Sequence, residues 1–468
     1  NDMVVATWYD QSGNSNDATQ GTSTARPKIY DGTTGVVTEN GKPALDFDGS
    51  NDYFEMPSPF SGTTPRSTFF TGYSTENPTS ASVIYGANVQ ATNSGESYNI
   101  TTEIGLRVNQ YALWDDDYQG TSRKLLTTIW SSGNAFDAQM YLDGVQLSTS
   151  SGNSTVDLNT AAHSTSWIAR TSYNPDNYLT AVFSEMIFYA SDQSSNRTDI
   201  EENIGGYYDI PLAGLLDENP GAAAAYSLRR LSSTYTGSAI QVQRADNVGG
   251  TTDIGFDSYG DLDTTALTTA AAGNDMVVAT WYDQSGNSND ASQATSANRP
   301  KIYDGSTGVV TENGKPALET DGANDYLSFT SMTFSSNFCF LNVQTTSLKD
   351  TGYGGAGGNF GAYFEDSTTL RWRFSGSQSD YTIPSQTSGT QYLAFINRAS
   401  SSVELHFQGV SRGTTSNGGT STLFDIMRGN AGGLYLNGHS QELIFWNSDQ
   451  SSNRTDIEDN INTFYSIY

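Results

Sequence analysis

The sequence has little cysteine, histidine or positive charge. Cys339 is the single cysteine, which excludes an intrachain disulfide and the stapled architecture of small secreted domains. The three histidines, His163, His406 and His439, stand apart without ligand spacing, so no zinc site is expected. Lysine and arginine total 22 against 51 aspartates and glutamates, a formal net charge of -29. That balance repels a phosphate backbone and argues against nucleic acid as a partner. The acids are scattered among Gly, Ser, Thr and Asn, as on a solvated surface suited to a saline setting. No run of eighteen apolar residues is present, so helical membrane insertion is not expected. There is no basic-then-apolar leader, no Ser/His/Asp order and no phosphate-binding Gly loop with its lysine.

What the sequence does have is repetition. Residues 1–45 return at residues 274–318 without a gap, with 40 of the 45 positions identical. Residues 191–204 return at 448–461 with 13 of 14 the same. Matched ends around divergent middles describe a tandem duplication, and 468 residues are too many for one ordinary core. The expected division is a first sandwich over 1–210, a linker over 211–221 and a second sandwich over 222–468.

The local grammar is antiparallel β. Met3 to Trp8 (MVVATW) reads as a buried strand feeding the polar loop YDQSGN, with Asp10 and Asp283 as loop-bracing acceptors. Asp31-Gly32, Asn40-Gly41 and Asp143-Gly144 mark hairpin turns between short strand-like pieces. One short helix is expected at the end of each copy. Thr198 and Glu201 have capping-box spacing, Ile200 and Ile204 share a face, and Gly205-Gly206 mark the stop; Thr455, Glu458, Ile457 and Ile461 repeat the pattern. Residues 222–273 have no counterpart before residue 1, so the second copy carries an arm that the first lacks. We expect a like arm to lie upstream or to come from a neighbour, since an unpaired sheet edge is a state proteins avoid.

At YSLRRLSSTYTG (226–237), QVQRADN, DIGF and WYDQSGNSNDASQ, the second copy resembles the catalytic domain of the arabinofuranosidase B family. More broadly, the pattern from WYDQSGN to KPALDFDGSNDY resembles the concanavalin A-like and laminin G-like sandwiches of bacterial surface proteins and phage appendages. The fold expected is therefore all-β, two tandem concanavalin A-like (jelly-roll) antiparallel β-sandwiches, each closed by a short C-terminal helix. A retaining hydrolase of that family uses two carboxylates about 5 Å apart. The resemblance implies Glu103 as nucleophile and Asp176 as acid in the first copy. The second copy offers no carboxylate in its matching loop 428–433, and the family's disulfides and adjacent cysteine pair are missing.

The expected role is non-catalytic adhesion or display at a cell or virion surface, with a carbohydrate or cell-surface glycan as partner. A hydrolase active in the first copy and a structural appendage built from neighbouring copies are the alternatives. Sugar recognition needs aromatic faces beside polar side chains, and YALWDDDY concentrates them as Tyr111, Trp114, Asp116 and Tyr118, with Trp372 the nearest analogue in the second copy. The segment Asp46, Asp48, Asn51 and Asp52, echoed by Asp321, Asn324 and Asp325, reads as a turn rather than a metal loop. The calcium alternative would use those same oxygens. No other cofactor is expected.

Overall fold

The computed structural model describes residues 1–60, 64–74, 82–87, 96–100, 104–108, 111–115, 123–131, 138–147, 150–151, 165–170, 178–335, 337–345, 354–355, 360–416, 418–429 and 434–468. The chain divides into two units, Asn1–Leu212 and Ala213–Tyr468. Among the described residues no helix is long and apolar enough to cross a membrane.

The first unit is a sandwich of two antiparallel sheets. One runs through Lys28–Asp31, Leu45–Asp48, Thr180–Tyr189, Arg66–Ser74, Lys124–Trp130 and Ala138–Leu142. The other runs through Phe54–Met56, Ser166–Ile168, Ser82–Ala87, Glu96–Ile100, Ile104–Val108 and Tyr111–Asp115. Alternation decides what fills the space between them. Phe47, Phe70, Trp130 and Phe183 from the first sheet meet Phe54, Tyr85 and Ile168 from the second. The other face of the first sheet is also covered, because Phe69, Leu125 and Ile129 pack on Ile204 and Tyr208 of the helix Arg197–Tyr208. A central strand buried on both faces must read as an almost continuous apolar run.

The second unit has the same two layers, but Met276–Trp281 pairs with strands of both and joins them into one 16-stranded sheet. In Phe338–Gln344 (FCFLNVQ), Phe338 and Phe340 enter the core between the sheets, whereas Cys339, Leu341 and Val343 meet Ile457 and Ile461 of the helix Arg454–Tyr465. Cys339 is thus a buried apolar filler whose thiol is pushed well up by burial.

The hairpins form as their sequences dictate. Asn40 and Gly41, and Asp143 and Gly144, all take positive φ between paired strands, as tight hairpin turns require. The helices form where periodicity places them, but differently at their ends. Helix Arg197–Tyr208 runs through Gly205 and Gly206 and stops at Asp209, which takes the left-handed conformation. Asn196 is its N-cap without a side-chain cap bond, and Glu201 turns instead to Arg197 at 2.5 Å. Arg454 and Glu458 repeat that pair, so the capping box is an i,i+4 ion pair in both places.

Residues 213–221 are not a free tether. Leu215 and Leu216, on a short helix, are buried in the second unit, and Leu216 N donates to Leu231 O at 2.8 Å. From there the arm enters the fold. Ala222–Ser227 pairs antiparallel with Asn437–Trp446, and Ile240–Arg244 pairs with Met276–Trp281.

That second pairing explains the largest departure from expectation. The hexapeptide MVVATW occurs twice, yet at 276–281 it is one buried strand and at 3–8 it is two fragments, Met3–Val4 and Thr7–Trp8. Met276 is 3% exposed and Met3 is 62% exposed. Sequence being equal, the difference is the partner: the first unit has no described strand standing where Ile240–Arg244 stands.

Within the second unit the arm delivers one buried charge pair. Glu442, fully buried, accepts from Arg229 Nε at 2.8 Å, Arg229 Nη2 at 3.1 Å, Ser227 Oγ at 2.8 Å and Tyr465 OH at 3.2 Å. Removing one partner of such a pair strands the other charge. Arg229→Ala is expected to destabilise the second unit by about 3–5 kcal/mol, measured as the shift of its denaturant transition. Glu185→Gln, at the matching position of the first unit, is expected to cost under about 1 kcal/mol.

Candidate functional site

The divergent loops 171–177 and 430–433 lie outside the described residues, but the residues that flank them are described and arrive at one arrangement twice. In the first unit, strand Ser166–Ile168 pairs with Phe54–Met56 and then turns at Ala169, whose φ is 61°. In the second, strand Ser421–Ile426 pairs with Leu327–Phe334 and turns at Met427, whose φ is 64°. A left-handed Ala or Met costs on the order of 1 kcal/mol and persists only where its surroundings impose it. Both are fully buried. Backbone bonds hold each kink, Leu179 N donating to Ala169 O at 3.0 Å and Leu436 N to Met427 O at 2.9 Å.

The kink aims an arginine. Arg170 lies over the ring of Tyr53 at 4.5 Å, and Arg428 over the ring of Tyr326 at 3.9 Å. A second tyrosine completes each group: Tyr178 is 6.0 Å from Tyr53 and Tyr435 is 6.3 Å from Tyr326, centroid to centroid. Arg170 is bridged to Tyr178, and Arg428 to Tyr435, by antiparallel backbone pairing across the loop each pair flanks. All six side chains are half-buried. Each unit therefore presents two tyrosine rings and a guanidinium at the root of a loop that differs between the units.

The two guanidiniums are held differently. Arg170 also faces the Trp167 ring at 5.9 Å, so its neighbours are aromatic on several sides. Where Trp167 stands beside Arg170, Asp425 stands beside Arg428 and pairs with it, its buried carboxylate accepting from Ser328 Oγ at 2.6 Å as well. A guanidinium over a ring contributes about 0.5–2 kcal/mol, rising with desolvation.

The acidic segment beside each cluster is a turn. Asp48 Oδ1 accepts from Ser50 N at 2.8 Å and Asn51 N at 3.2 Å, and Asp52 Oδ2 accepts from Asp48 N at 3.1 Å. Asp321 and Asp325 do the same, at 2.8 Å from Ala323 N and 3.0 Å from Asp321 N. Asn51 and Asn324 both donate their backbone N–H to this turn, and the Asn324 side chain also donates to Asn298 Oδ1 at 3.0 Å. Asp46 lies on the preceding strand Leu45–Asp48, its carboxyl raised mainly by burial. Among the described residues no group of three or more His, Cys, Asp or Glu could hold a metal ion. Burial, opposed by the backbone bond and reinforced by the neighbouring Asp48, pushes Asp52 up to about 6. Burial and the neighbouring Asp321 push Asp325 up to about 7.

The residues singled out from sequence fall elsewhere. Glu103, Asp176, Asp116 and Tyr118 lie outside the described residues. Tyr111 and Trp114 belong to strand Tyr111–Asp115, paired with Ile104–Val108. Trp372 is corrected: it is fully buried, stacked near Phe340 at 6.2 Å and 5.9 Å from Phe338, so neither indole face is open to a sugar. Its strand, TLRWRF, alternates, and Trp372 falls on the core side while Arg371 and Arg373 face outward. The tyrosine and arginine clusters were missed because the spacing Arg170 to Tyr178 is one residue longer than Arg428 to Tyr435, which hides the match in a divergent region. The repeated NDY before them was the available signal.

The raised carboxyls have a definite sign. Protonation of Asp52 and Asp325 is favoured in the folded chain, so their stabilising contribution is complete below the ordinary value of 3.8 and is lost as pH rises through about 6 and about 7. Asp52→Asn and Asp325→Asn, which keep an accepting oxygen without charge, are each expected to raise Tm at pH 8 by roughly 2 °C and to leave it unchanged at pH 4. Calorimetry with and without calcium chloride checks this; a calcium-dependent loss in the variants would instead make these turns metal sites.

The sequence profile of the family described as "Alpha-L-arabinofuranosidase B, catalytic" matches residues 213–349, within the second unit. Comparison with curated proteins gives no match. A crystal structure of an arabinofuranosidase complexed with arabinofuranosyl-alpha-1,2-xylobiose is 18% identical over 51% of this chain and 62% of its own, with a TM-score of 0.39. This chain thus spans under two thirds of that protein's length. Domains LG4-5 of the mouse laminin alpha1 chain are 9% identical over 88% of this chain and 90% of theirs, TM-score 0.24. A SAP-like pentraxin from Limulus polyphemus is 13% identical over 31% of this chain and 82% of its own, TM-score 0.26. The opening part of the second unit, including its arm, is similar in sequence to an arabinofuranosidase B catalytic domain.

Proposed function

We propose that the chain is a non-catalytic carbohydrate-binding protein of an extracellular, cell-surface or virion setting, each unit taking a glycan at its tyrosine and arginine cluster. The observation that carries this reading is the recurrence of the cluster. Two rings, a guanidinium and a left-handed residue are kept at the same place in both units, although the loops they flank have diverged. Sugar rings present C–H faces that pack on tyrosine and hydroxyls that a guanidinium can bond, which is the chemistry a half-buried aromatic and arginine group supplies. The loops beside the clusters set selectivity, because they vary while the framework holds. With Trp167 beside Arg170 where Asp425 stands beside Arg428, the two units take different glycans.

The competing reading is a retaining hydrolase active in the first unit, favoured by the family match in the second. Retention of the purified chain on a panel of arabinose-containing and marine polysaccharides, with released sugar followed in parallel, separates the two. Binding without turnover is expected. Tyr53→Ala with Tyr178→Ala should weaken retention through the first unit about tenfold or more. Turnover that disappears in Glu103→Gln or Asp176→Asn would make the first unit an enzyme. Neither binding nor turnover would leave a structural appendage.

A further inference from the structure

The loop YDQSGN has the same internal shape in both units. Asp10 accepts from Ser12 N at 2.8 Å and Asn16 N at 2.9 Å, and Asp283 accepts from Ser285 N and Asn289 N, both at 2.9 Å. Asp10 N and Asp283 N each donate to the aspartate seven residues on, at 2.9 Å. In the second unit this loop does one thing more: it grips the arm. Asp283 Oδ1 accepts from Ala225 N at 2.8 Å and Gln284 N donates to Ala225 O at 2.8 Å. The Gln284 side chain accepts from Leu231 N at 2.8 Å and donates to Ser227 O at 3.0 Å and Arg229 O at 2.9 Å. Asn287 and Asn289 donate to Ala222 O and Ala223 O, each at 2.8 Å.

In the first unit no arm lies against these groups among the described residues, and the Asn14 side chain donates back to Ser12 Oγ at 3.0 Å. Gln11 is exposed, and among the described residues neither its side chain nor the side-chain amide of Asn16 has a partner. The adjoining strand tells the same story. Among the described residues, Thr180–Tyr189 is paired along one edge by Arg66–Ser74, but along the other by Leu45–Asp48 over its first four residues alone. Residues 184–189 are each half-buried, whereas their counterparts 441–446, covered by the arm, are all buried. Glu185 stands where Glu442 stands and is hydrogen-bonded to Tyr208, as Glu442 is to Tyr465, but among the described residues no arginine pairs with it as Arg229 pairs with Glu442.

We propose that the first unit is a docking site for an extended segment with the chemistry of residues 219–231: small residues that fit against the strand, then a tyrosine, a serine and an arginine for Glu185. The site is preformed, since the loop already holds the gripping conformation, and it takes that segment by strand addition. Open edge, polar grip and a carboxylate without an arginine among the described residues coincide, and the second unit displays the occupant that satisfies all three.

The test is titration of the full chain with a fluorescent synthetic peptide of residues 219–231, against a scrambled peptide of the same composition. Saturable binding of the native peptide is expected, with new hydrogen-exchange protection at 184–189. Gln11→Ala or Glu185→Gln should weaken it about tenfold, with the fold of each variant checked by circular dichroism. Absence of binding, equal binding of the scrambled peptide, or unchanged affinity in both variants would overturn the proposal. So would a stable dimer in sedimentation whose residues 184–189 are protected without peptide, because a second copy would then cover the edge.

Discussion

A strand that sits at the centre of a sheet must find partners for both rows of its backbone groups, and the last strand of each unit is where this constraint is decided. In the second unit Asn437–Trp446 is paired on one side by Phe338–Gln344 and on the other by Leu318–Asp321 and the arm. Pairing on both edges lets its residues be buried on both faces, which lets the helix Arg454–Tyr465 pack over it. Glu442 can then sit at zero exposure, because the arm that buries it also brings Arg229. The first unit shows the same strand with residues 184–189 unpaired along one edge among the described residues, and each of these consequences is reversed or weakened. Burial is lower, no described guanidinium pairs with the carboxylate, and Met3, Val4 and Ala6 are exposed where Met276, Val277 and Ala279 are buried.

The candidate site depends on the same frame at its opposite strands. The turn Asp48 to Asp52 fixes Tyr53, and the pairing of Ser166–Ile168 with Phe54–Met56 fixes where Ala169 turns and hence where Arg170 points. The loop beyond carries none of that burden. A rigid cluster beside a loop free to vary is how a repeated scaffold can keep a mode of binding and change its ligand. The raised carboxyls of Asp52 and Asp325 are the cost of burying the turn beside that cluster.

Much of the frame was legible because it rests on local chemistry. Asn40-Gly41 and Asp143-Gly144 turn where only residues tolerant of positive φ can, and Ile204 and Ile461 mark the buried face of each helix. What was not legible depends on partners distant in sequence. MVVATW reads as a buried strand in both copies, and whether it becomes one is decided by a strand some forty residues before it. Pro211 to Gly221 has the composition of a linker, yet Leu215 and Leu216 find a core. Trp372 looked like a sugar platform because an exposed and a buried indole are written alike; the alternation of its strand was the better guide. The tyrosine and arginine clusters are assembled from strand ends far apart in the chain, so neither motif nor period announces them.

The central claim is that equivalent strands differ in the two units because Ala222–Ser227 covers residues 442–446, whereas no strand among the described residues covers 184–189. Residue-resolved amide hydrogen exchange on the chain without any added peptide tests it most directly. The account predicts that about half of the amides over residues 184–189, those facing the open edge, exchange far faster than their counterparts over 441–446. Equal protection of both stretches would contradict it.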